Sequence, residues 1–462
     1  MNSPNSQILT VAQMRAAEEA LIAGGTGVDA LMRLAGRGAA EWIYRMAWPR
    51  PVTVLCGPGN NGGDGYVIAE ALRERHIPVL VIAPFEPASE AAKNARADYG
   101  GDYWTREEAP DGAVLVDCLF GSGLVRPLGA ELVGLVGRLT ATHERRVAID
   151  LPSGIESDSG RPLDQGLPDY TLTIALGAWK FAHWTMPAAA NMGECVLVPI
   201  GVEEVAGAAQ LVGKPRLSVP AAGDHKYSRG LLAVCAGEMP GAALLASRAA
   251  MHGGAGYVKL AADRAPISTP AELVVDPAGL ADTRLGAALV GPGLGRADGA
   301  RARLGDALAR NVPLVVDADG LMLLEPGMLD RRSAPVIATP HEGELAALAS
   351  AFGINASGKL AVARELARAS GMVVLAKGAD SLVAGPGGDV ALARPAPSWL
   401  STAGTGDVLA GLVASRLATG REPFTAACEA LWLHGEAARR AGTAFSASDL
   451  IAHIPAAYAA CL

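Results

Sequence analysis

Seven short apolar runs in this chain each end in a loop of glycine and polar residues, and that recurrence limits the fold more than any other feature. In the first half, runs at 52–55, 114–116 and 147–149 lead into GPGNNGGDG (57–65), DCLFGSG (117–123) and DLPSGI (150–155). In the second half, runs at 289–290, 313–316, 336–338 and 373–375 lead into GPGLG (291–295), DADG (317–320), TPHEGE (339–344) and KGADS (377–381). Further runs at 79–82, 172–175, 231–235, 257–260 and 382–384 share the apolar pattern. Continuous apolar strands alternating with helix-patterned stretches mean parallel sheets covered on both faces. Ligands of such sheets bind beyond the carboxyl ends of the strands, so loops from successive strands converge on a pocket.

A chain of 462 residues is long for one core. Between 200 and 224 the pattern loses its period and turns rich in Ala, Gly and Pro, with Pro215 and Pro220 near its end. The division expected is therefore an α/β domain at 1–212 and a second α/β domain at 213–462. Ahead of the first strand, apolar residues from Ile8 to Trp42 recur at helical spacing around Gly24, Gly25 and Gly27, which predicts two helices about a glycine turn. Net charge is −8 with no block of Lys or Arg, which argues against a nucleic-acid or membrane partner and for small-molecule chemistry. The six cysteines are scattered without metal-ligand spacing, as suits a reduced cytoplasm. No basic segment followed by an apolar core opens the sequence, so neither export nor a membrane span is expected.

The GPGNNGGDG loop precedes a helical pattern beginning near Tyr66, where exposed backbone N–H groups receive an anion. Its paired Asn and embedded Asp suit a hydroxylated ligand or a hard cation, although one loop of this kind also serves as a bare strand-to-helix turn. Any single aspartate here has the alternative role of helix cap or Asx turn. The strongest catalytic signal is STAGTGD (401–407), which leads into an apolar helix at 408–417. Small residues at a helix start can hold a transferring phosphoryl group, and Asp407 in the first turn can accept a proton from an attacking hydroxyl; the competing role for Asp407 is a dipole contact. His341, Glu342 and Glu344 lack H-E-x-x-H spacing, so turn and substrate roles are preferred to a metal site. Lys226 reads either as a phosphate ligand or as a solvated loop charge.

Together these motifs resemble the bacterial bifunctional NAD(P)H-hydrate repair enzymes over nearly the whole chain. The first half is similar to the epimerase family through Leu31-Met32 and Ala35-Gly36, GPGNNGGDG, DCLFGSGL, DLPSG and Gly177 to Lys180. The second is similar to the dehydratases of the ribokinase-like superfamily through His225-Lys226, GPGLG, DADGL, TPHEGE, KGAD and AGTGDVLAG. The resemblance implies a Rossmann-like three-layer α/β domain followed by a ribokinase-like α/β domain. In the first, Asn61, Asp117 and Ser153 would hold K+, while Asn60, Asn61, Gly62, Gly63, Asp64, Gly121, Ser122, Gly123, Leu124, Val125, Arg126, Pro127 and Asp150 would contact the hydrate. In the second, Lys377, Gly378, Ala379, Asp380, Ser381 and Gly406 would contact the nucleotide, and Ala242, Gly293, His341 and Asp407 the hydrate. The sequence departs from the family pattern at Ala403, where glycine is usual, at Tyr227, and at Arg33-Leu34.

The implied substrates are the hydrates of NADH and NADPH together with ADP, accompanied by Mg2+, in a cytoplasmic homo-oligomer. Asp407 would deprotonate the C6 hydroxyl of the hydrate as it is phosphorylated, and phosphate would then leave. AMP and phosphate are the by-products. Epimerisation would supply the S form, with Asp150 as the acid/base group and Lys180 as the second candidate. Two rivals stand beside this reading: a ribokinase-like kinase of another small molecule, and a non-catalytic dinucleotide-sensing first half.

Overall fold

The computed structural model describes residues 4–105 and 112–462. The chain divides into two compact units, Met1–Gln210 and Leu211–Leu462.

The strands of the first unit are β1 (Gln7–Leu9), β2 (Val52–Cys56), β3 (Val79–Ile82), β4 (Tyr103–Trp104), β5 (Gly112–Cys118), β6 (His143–Ile149), β7 (Leu172–Leu176), β8 (Trp179–Lys180), β9 (Glu194–Val198) and β10 (Ala209–Leu211). Its helices are α1 (Val11–Ala23), α2 (Val28–Ala47), α3 (Asn60–Arg73), α4 (Glu90–Asp98) and α5 (Ala130–Thr142). Seven strands form one sheet in the order β4-β3-β2-β5-β6-β7-β9, every pair parallel. Alternation decides its two faces. Val52, Val54 and Cys56 pack with α2, α3 and α4, whereas Leu55 and Leu115 pack under Leu135, Val136 and Leu139 of α5. The result is three layers.

In register, Cys56 pairs with Cys118 and Asp117 with Ala148. The loops after β2, β5 and β6 therefore leave the sheet side by side. Gly57 is obligatory at the first of them, because a Cβ there would lie 1.7 Å from the Leu119 carbonyl oxygen. The helix after β2 begins at Asn60, not near Tyr66 as its sequence pattern suggests. Glycines at 62, 63 and 65 hide the helical period, yet they let its first turns lie against the Gly57 backbone, Met32 and the Cys56 sulfur.

The second unit contains β11 (Leu231–Cys235), β12 (Tyr257–Ala261), β13 (Val274–Val275), β14 (Leu285–Val290), β15 (Leu314–Val316), β16 (Val336–Ala338), β17 (Val373–Ala376), β18 (Leu382–Ala384) and β19 (Val390–Leu392). Its helices are α6 (Pro240–His252), α7 (Asp298–Ala309), α8 (Asp319–Leu323), α9 (Glu342–Ala351), α10 (Lys359–Ser370), α11 (Thr405–Ala418), α12 (Pro423–Ala441) and α13 (Ala447–Ala459). The order is β13-β12-β11-β14-β15-β16-β17-β18-β19, parallel as far as β17 and antiparallel thereafter. The main core lies between this sheet and α6, α11, α12 and α13. Helix α11 is buried from Val408 to Ala418, which is why its sequence is apolar around the helix apart from Ser415 and Arg416, the latter paired with Glu429. No helix among the described residues is long and apolar enough to cross a membrane.

Candidate active sites

In the first unit the chemistry gathers around Asp150, the residue that leaves β6. Its backbone has φ +66°, a left-handed conformation that costs a non-glycine residue roughly 1–2 kcal/mol. The strain is held in place by two bonds: Asp150 N–H donates to Ile174 O at 2.8 Å, and His183 Nε2 donates to Asp150 O at 2.8 Å. Burial pushes the His183 imidazole down to about 4, so it is neutral, and its Nδ1 accepts the Lys180 N–H at 2.9 Å. With the backbone fixed, the Asp150 carboxylate takes Lys180 Nζ at 2.5 Å on one oxygen and the Ser122 N–H at 3.0 Å on the other. Burial alone would raise the Asp150 carboxyl, but the Lys180 charge and hydrogen bond outweigh it and hold the group below its ordinary value.

Around this pair the loops supply polar groups of a different kind. A Cβ at Gly121 would lie 3.1 Å from Asp150 Oδ2 and 3.3 Å from Asn61 Oδ1, so Asn61 and Asp150 face one small space that only glycine leaves open. Both polar atoms of the Asn61 amide are buried without a hydrogen-bond partner. Such orphans are costly unless a ligand or ion satisfies them. Asp64 is buried in the second turn of α3, and burial followed by the charges of Asp150 and Glu18 pushes its carboxyl well above the ordinary range.

The fully buried Asp117 stands near the end of β5. It accepts Leu119 N–H at 3.0 Å, Ser153 N–H at 3.1 Å, Ser153 Oγ at 2.8 Å and Tyr170 Oη at 2.5 Å. These donors are all neutral, and burial still raises the Asp117 carboxyl overall. A buried acid with only neutral donors, and an unsatisfied amide in a loop that leaves the same end of the sheet, are groups that a weakly hydrated monovalent cation fits. Of the other expected contacts, Gly62 and Gly63 pack against Gly57 and Met32, and Leu124 is buried. Asn60 accepts the Ser89 hydroxyl at 2.6 Å, and Val125 stands in solvent.

In the second unit, Asp317 follows β15 and Lys377 follows β17. Lys377 Nζ lies 2.7 Å from Asp317 Oδ1, which also accepts the Thr339 hydroxyl at 2.8 Å. Burial opposes the Lys377 charge, but the Asp317 charge and hydrogen bond prevail and keep its ammonium form above the usual range. A Cβ at Gly406 would sit 3.6 Å from Lys377 Nζ, so this ammonium adjoins the first turn of α11. Gly404 caps that helix at φ +90°, and Thr405 Oγ1 donates to Leu400 O at 2.7 Å. Ala403 has no left-handed φ, so its methyl adds no strain to the loop. Asp407, one residue beyond Gly406, is raised to about 6 by burial first and the Asp317 charge second, against the pull of Lys377. A carboxylate titrating near neutrality beside a cation and a small-residue helix start is equipped to take a proton while a phosphate is held.

The remaining expected contacts divide. Ala242 and Gly293 adjoin, since a Cβ at Gly293 would lie 3.1 Å from Ala242 Cβ. His341 caps α9, its Nδ1 accepting Gly343 N–H at 3.0 Å while its ring is largely exposed. Asp380 is paired with Lys359 at 2.6 Å, and Ser381 Oγ closes its own loop by accepting Gly378 N–H at 3.1 Å. Lys226 lies over the Tyr227 and Tyr257 rings at 5.1 and 4.7 Å. Tyr227 thus gives this loop an aromatic floor. Two clefts lie away from these centres: one of about 210 Å³ beside Met32, Val67 and Ala95, and one of about 480 Å³ beside Arg229, Arg416 and Tyr458.

Sequence reasoning missed His183, Tyr170 and Glu18, and assigned no role to Asp317. The DADG motif pointed at Asp317; the other three carry no local signature, because each is brought in from a distant element.

Two family models match the chain. One, described as YjeF-related protein N-terminus, covers residues 28–182, and one described as NAD(P)H-hydrate dehydratase covers 232–457. The bifunctional NAD(P)H-hydrate repair enzyme Nnr of Gloeobacter violaceus is 35% identical over 93% of this chain and 92% of its own length. The enzyme of the same description from Mycobacterium tuberculosis is 35% identical over 89% of each chain. Among solved structures, the ADP/ATP-dependent NAD(P)H-hydrate dehydratase of Bacillus subtilis, co-crystallised with ATP and Mg2+, is 27% identical, with a TM-score of 0.47 over 54% of this chain and 95% of that one.

Proposed function

The chain belongs to the family of bifunctional NAD(P)H-hydrate repair enzymes, and on that premise we propose how its residues divide the work. The first unit (within 1–212) epimerises the R and S hydrates of NADH and NADPH, and the second (within 213–462) dehydrates the S hydrate at the expense of ADP. The observation that carries the reading is Asp407, a half-buried carboxyl raised to about 6 one residue beyond the Gly406 that adjoins Lys377.

In the dehydratase, Asp407 accepts the C6 hydroxyl proton as that oxygen takes the terminal phosphoryl group of ADP, leaving AMP. Lys377, oriented by Asp317, and the backbone of Gly406 hold the phosphates, and the 378–381 loop borders the nucleotide. Ala242, Gly293 and His341 border the hydrate. Phosphate then leaves C6 with the push of the ring nitrogen, C5 loses a proton, and the dihydropyridine is restored. No group of three His, Cys, Asp or Glu side chains suited to a metal occurs among the described residues. Mg2+ would come with the nucleotide phosphates, where it would neutralise polyphosphate charge.

In the epimerase, the segments 60–64 and 121–127 and Asp150 surround the hydrate, and Asp150, held by Lys180, lies at the acid/base centre. K+ would be held by Asn61, Asp117 and Ser153, supplying the positive charge that buried Asp117 lacks. Six free thiols agree with a cytoplasmic location.

The test is recovery of dihydronicotinamide absorbance from mixed R and S hydrates with ADP and Mg2+. Recovery that passes the S fraction, requires the nucleotide and disappears in Asp407→Ala supports both assignments. No recovery with ADP or ATP removes the dehydratase and leaves a kinase of another hydroxyl compound; recovery that halts at the S fraction leaves the first unit a sensor.

A further inference from the structure

Removing a hydroxyl from C6 and returning it to the opposite face requires a proton donor as well as a base. Asp150 with Lys180 at 2.5 Å has the makings of the base and not of the donor. The donor has to stand near the same carboxylate without being tied into an ion pair. Asp64 meets both conditions. It lies three residues beyond Asn61 in α3, on the same face of the helix. Asn61 and Asp150 both border the space at Gly121. The groups whose charge Asp64 feels are Asp150, Glu18 of α1 and Lys180, and no hydrogen bond reaches its carboxyl among the described residues. Arg15 and Lys180 temper Glu18 in turn, and Cys118 lies close enough to feel Asp64.

The geometry points to Asp64 as the general acid of the epimerase site, giving its proton to the C6 oxygen of the hydrate while Asp150 serves as the base. This assignment rests on the epimerase reading above. In the forward step the C6–O bond breaks, the ring nitrogen supplies the electron pair, and the hydroxyl leaves as water with the Asp64 proton. Water then adds to the other face of C6, Asp150 takes its proton, and transfer from Asp150 back to Asp64 restores both groups. Nothing is oxidised or reduced. Two carboxyls set apart by environment, one charged and one neutral, divide acid from base as such pairs generally do.

Asp64→Asn keeps the size of the side chain and its dipole but has no proton to give. Epimerase kcat should fall by about 100-fold or more with KM changed much less, and the alkaline fall in kcat, where wild type loses its acid, should be absent. Asp64→Glu should restore a measurable part of kcat together with that alkaline limb. In the wild-type minus Asp64→Asn infrared difference spectrum at neutral pH, a protonated-carboxyl C=O band should appear, a readout independent of turnover. An Asp64→Asn protein of near-normal kcat, or a spectrum lacking the band, overturns the assignment. Wild type that does not epimerise overturns the epimerase reading itself.

Discussion

Lys180 Nζ and Asp150 Oδ1 lie 2.5 Å apart with both side chains buried, so each charge depends on the other for its place in the fold. Removing only the cation, as in Lys180→Met, leaves an uncompensated buried carboxylate, and the first unit should lose about 3–5 kcal/mol. Lys180→Met with Asp150→Asn should recover most of that loss, as urea unfolding of the three proteins checks. The pH dependence has a definite sign. Because the folded Asp150 value is depressed, the pair's contribution is fully present above the ordinary carboxylate value of about 4 and is lost as pH falls through the folded value. The Lys180→Met protein should lack that acid-side loss.

Asp407 behaves in the opposite sense. A base at about 6 is mostly ionised at pH 7 and about one-tenth ionised at pH 5. Dehydratase kcat/KM should fall roughly tenfold across that interval, and Asp407→Asn should lose about 100-fold or more at every pH. Since burial favours the neutral acid in the fold, stability from this group is present below the ordinary carboxylate value and is lost as pH rises through 6. Asp407→Asn should accordingly be more stable than wild type at pH 7, by about 1 kcal/mol. Thermal melting against pH checks this: the gain should be largest at pH 7, smaller at pH 5 and absent below the ordinary carboxylate value of about 4.

The orphaned amide of Asn61 predicts a monovalent-cation effect that needs no turnover to detect. In KCl, compared with N-methylglucamine chloride at equal ionic strength, the first unit should melt a few degrees higher, since an ion at 100 times its Kd adds about 2.7 kcal/mol. Asn61→Ala should abolish the difference. An equal response to both salts in wild type would remove the cation from this site.

Strand positions were legible because buried parallel strands are uniformly apolar: 79–82, 231–235, 336–338 and 382–384 coincide with strands β3, β11, β16 and β18. The start of α3 was not, since three glycines between Asn61 and Tyr66 erase the apolar period that marks a helix. At the sites, the motifs flagged both key aspartates because each lies at a strand end or helix start. What one sequence cannot carry is who neutralises whom. Asp317 and Lys377 are 60 positions apart and Asp150 and Lys180 are 30, and neither separation has a period. Asp64, read only as a ligand contact, differs from Asp150 solely through burial and neighbours. Ala403 shows the reverse error: it departs from the family pattern, yet its backbone never needed glycine.

Gly121 offers the sharpest test of whether Asn61 and Asp150 work on one space. Its φ is not left-handed, so Gly121→Ala is not strained by its backbone. Its Cβ would meet Asp150 Oδ2 at 3.1 Å and Asn61 Oδ1 at 3.3 Å, closer than comfortable packing but open to a shift of a few tenths of an ångström. A loop residue that only shapes a turn would tolerate that methyl with little functional effect. If the hydrate's C6 hydroxyl lies between these two side chains, the methyl occupies its place. Misplacement on this scale can cost about 100-fold in rate. Gly121→Ala should therefore melt within a few degrees of wild type, lose most of its epimerase kcat/KM, and dehydrate pure S hydrate at the normal rate. Full epimerase activity in that protein would show that the reacting centre lies elsewhere.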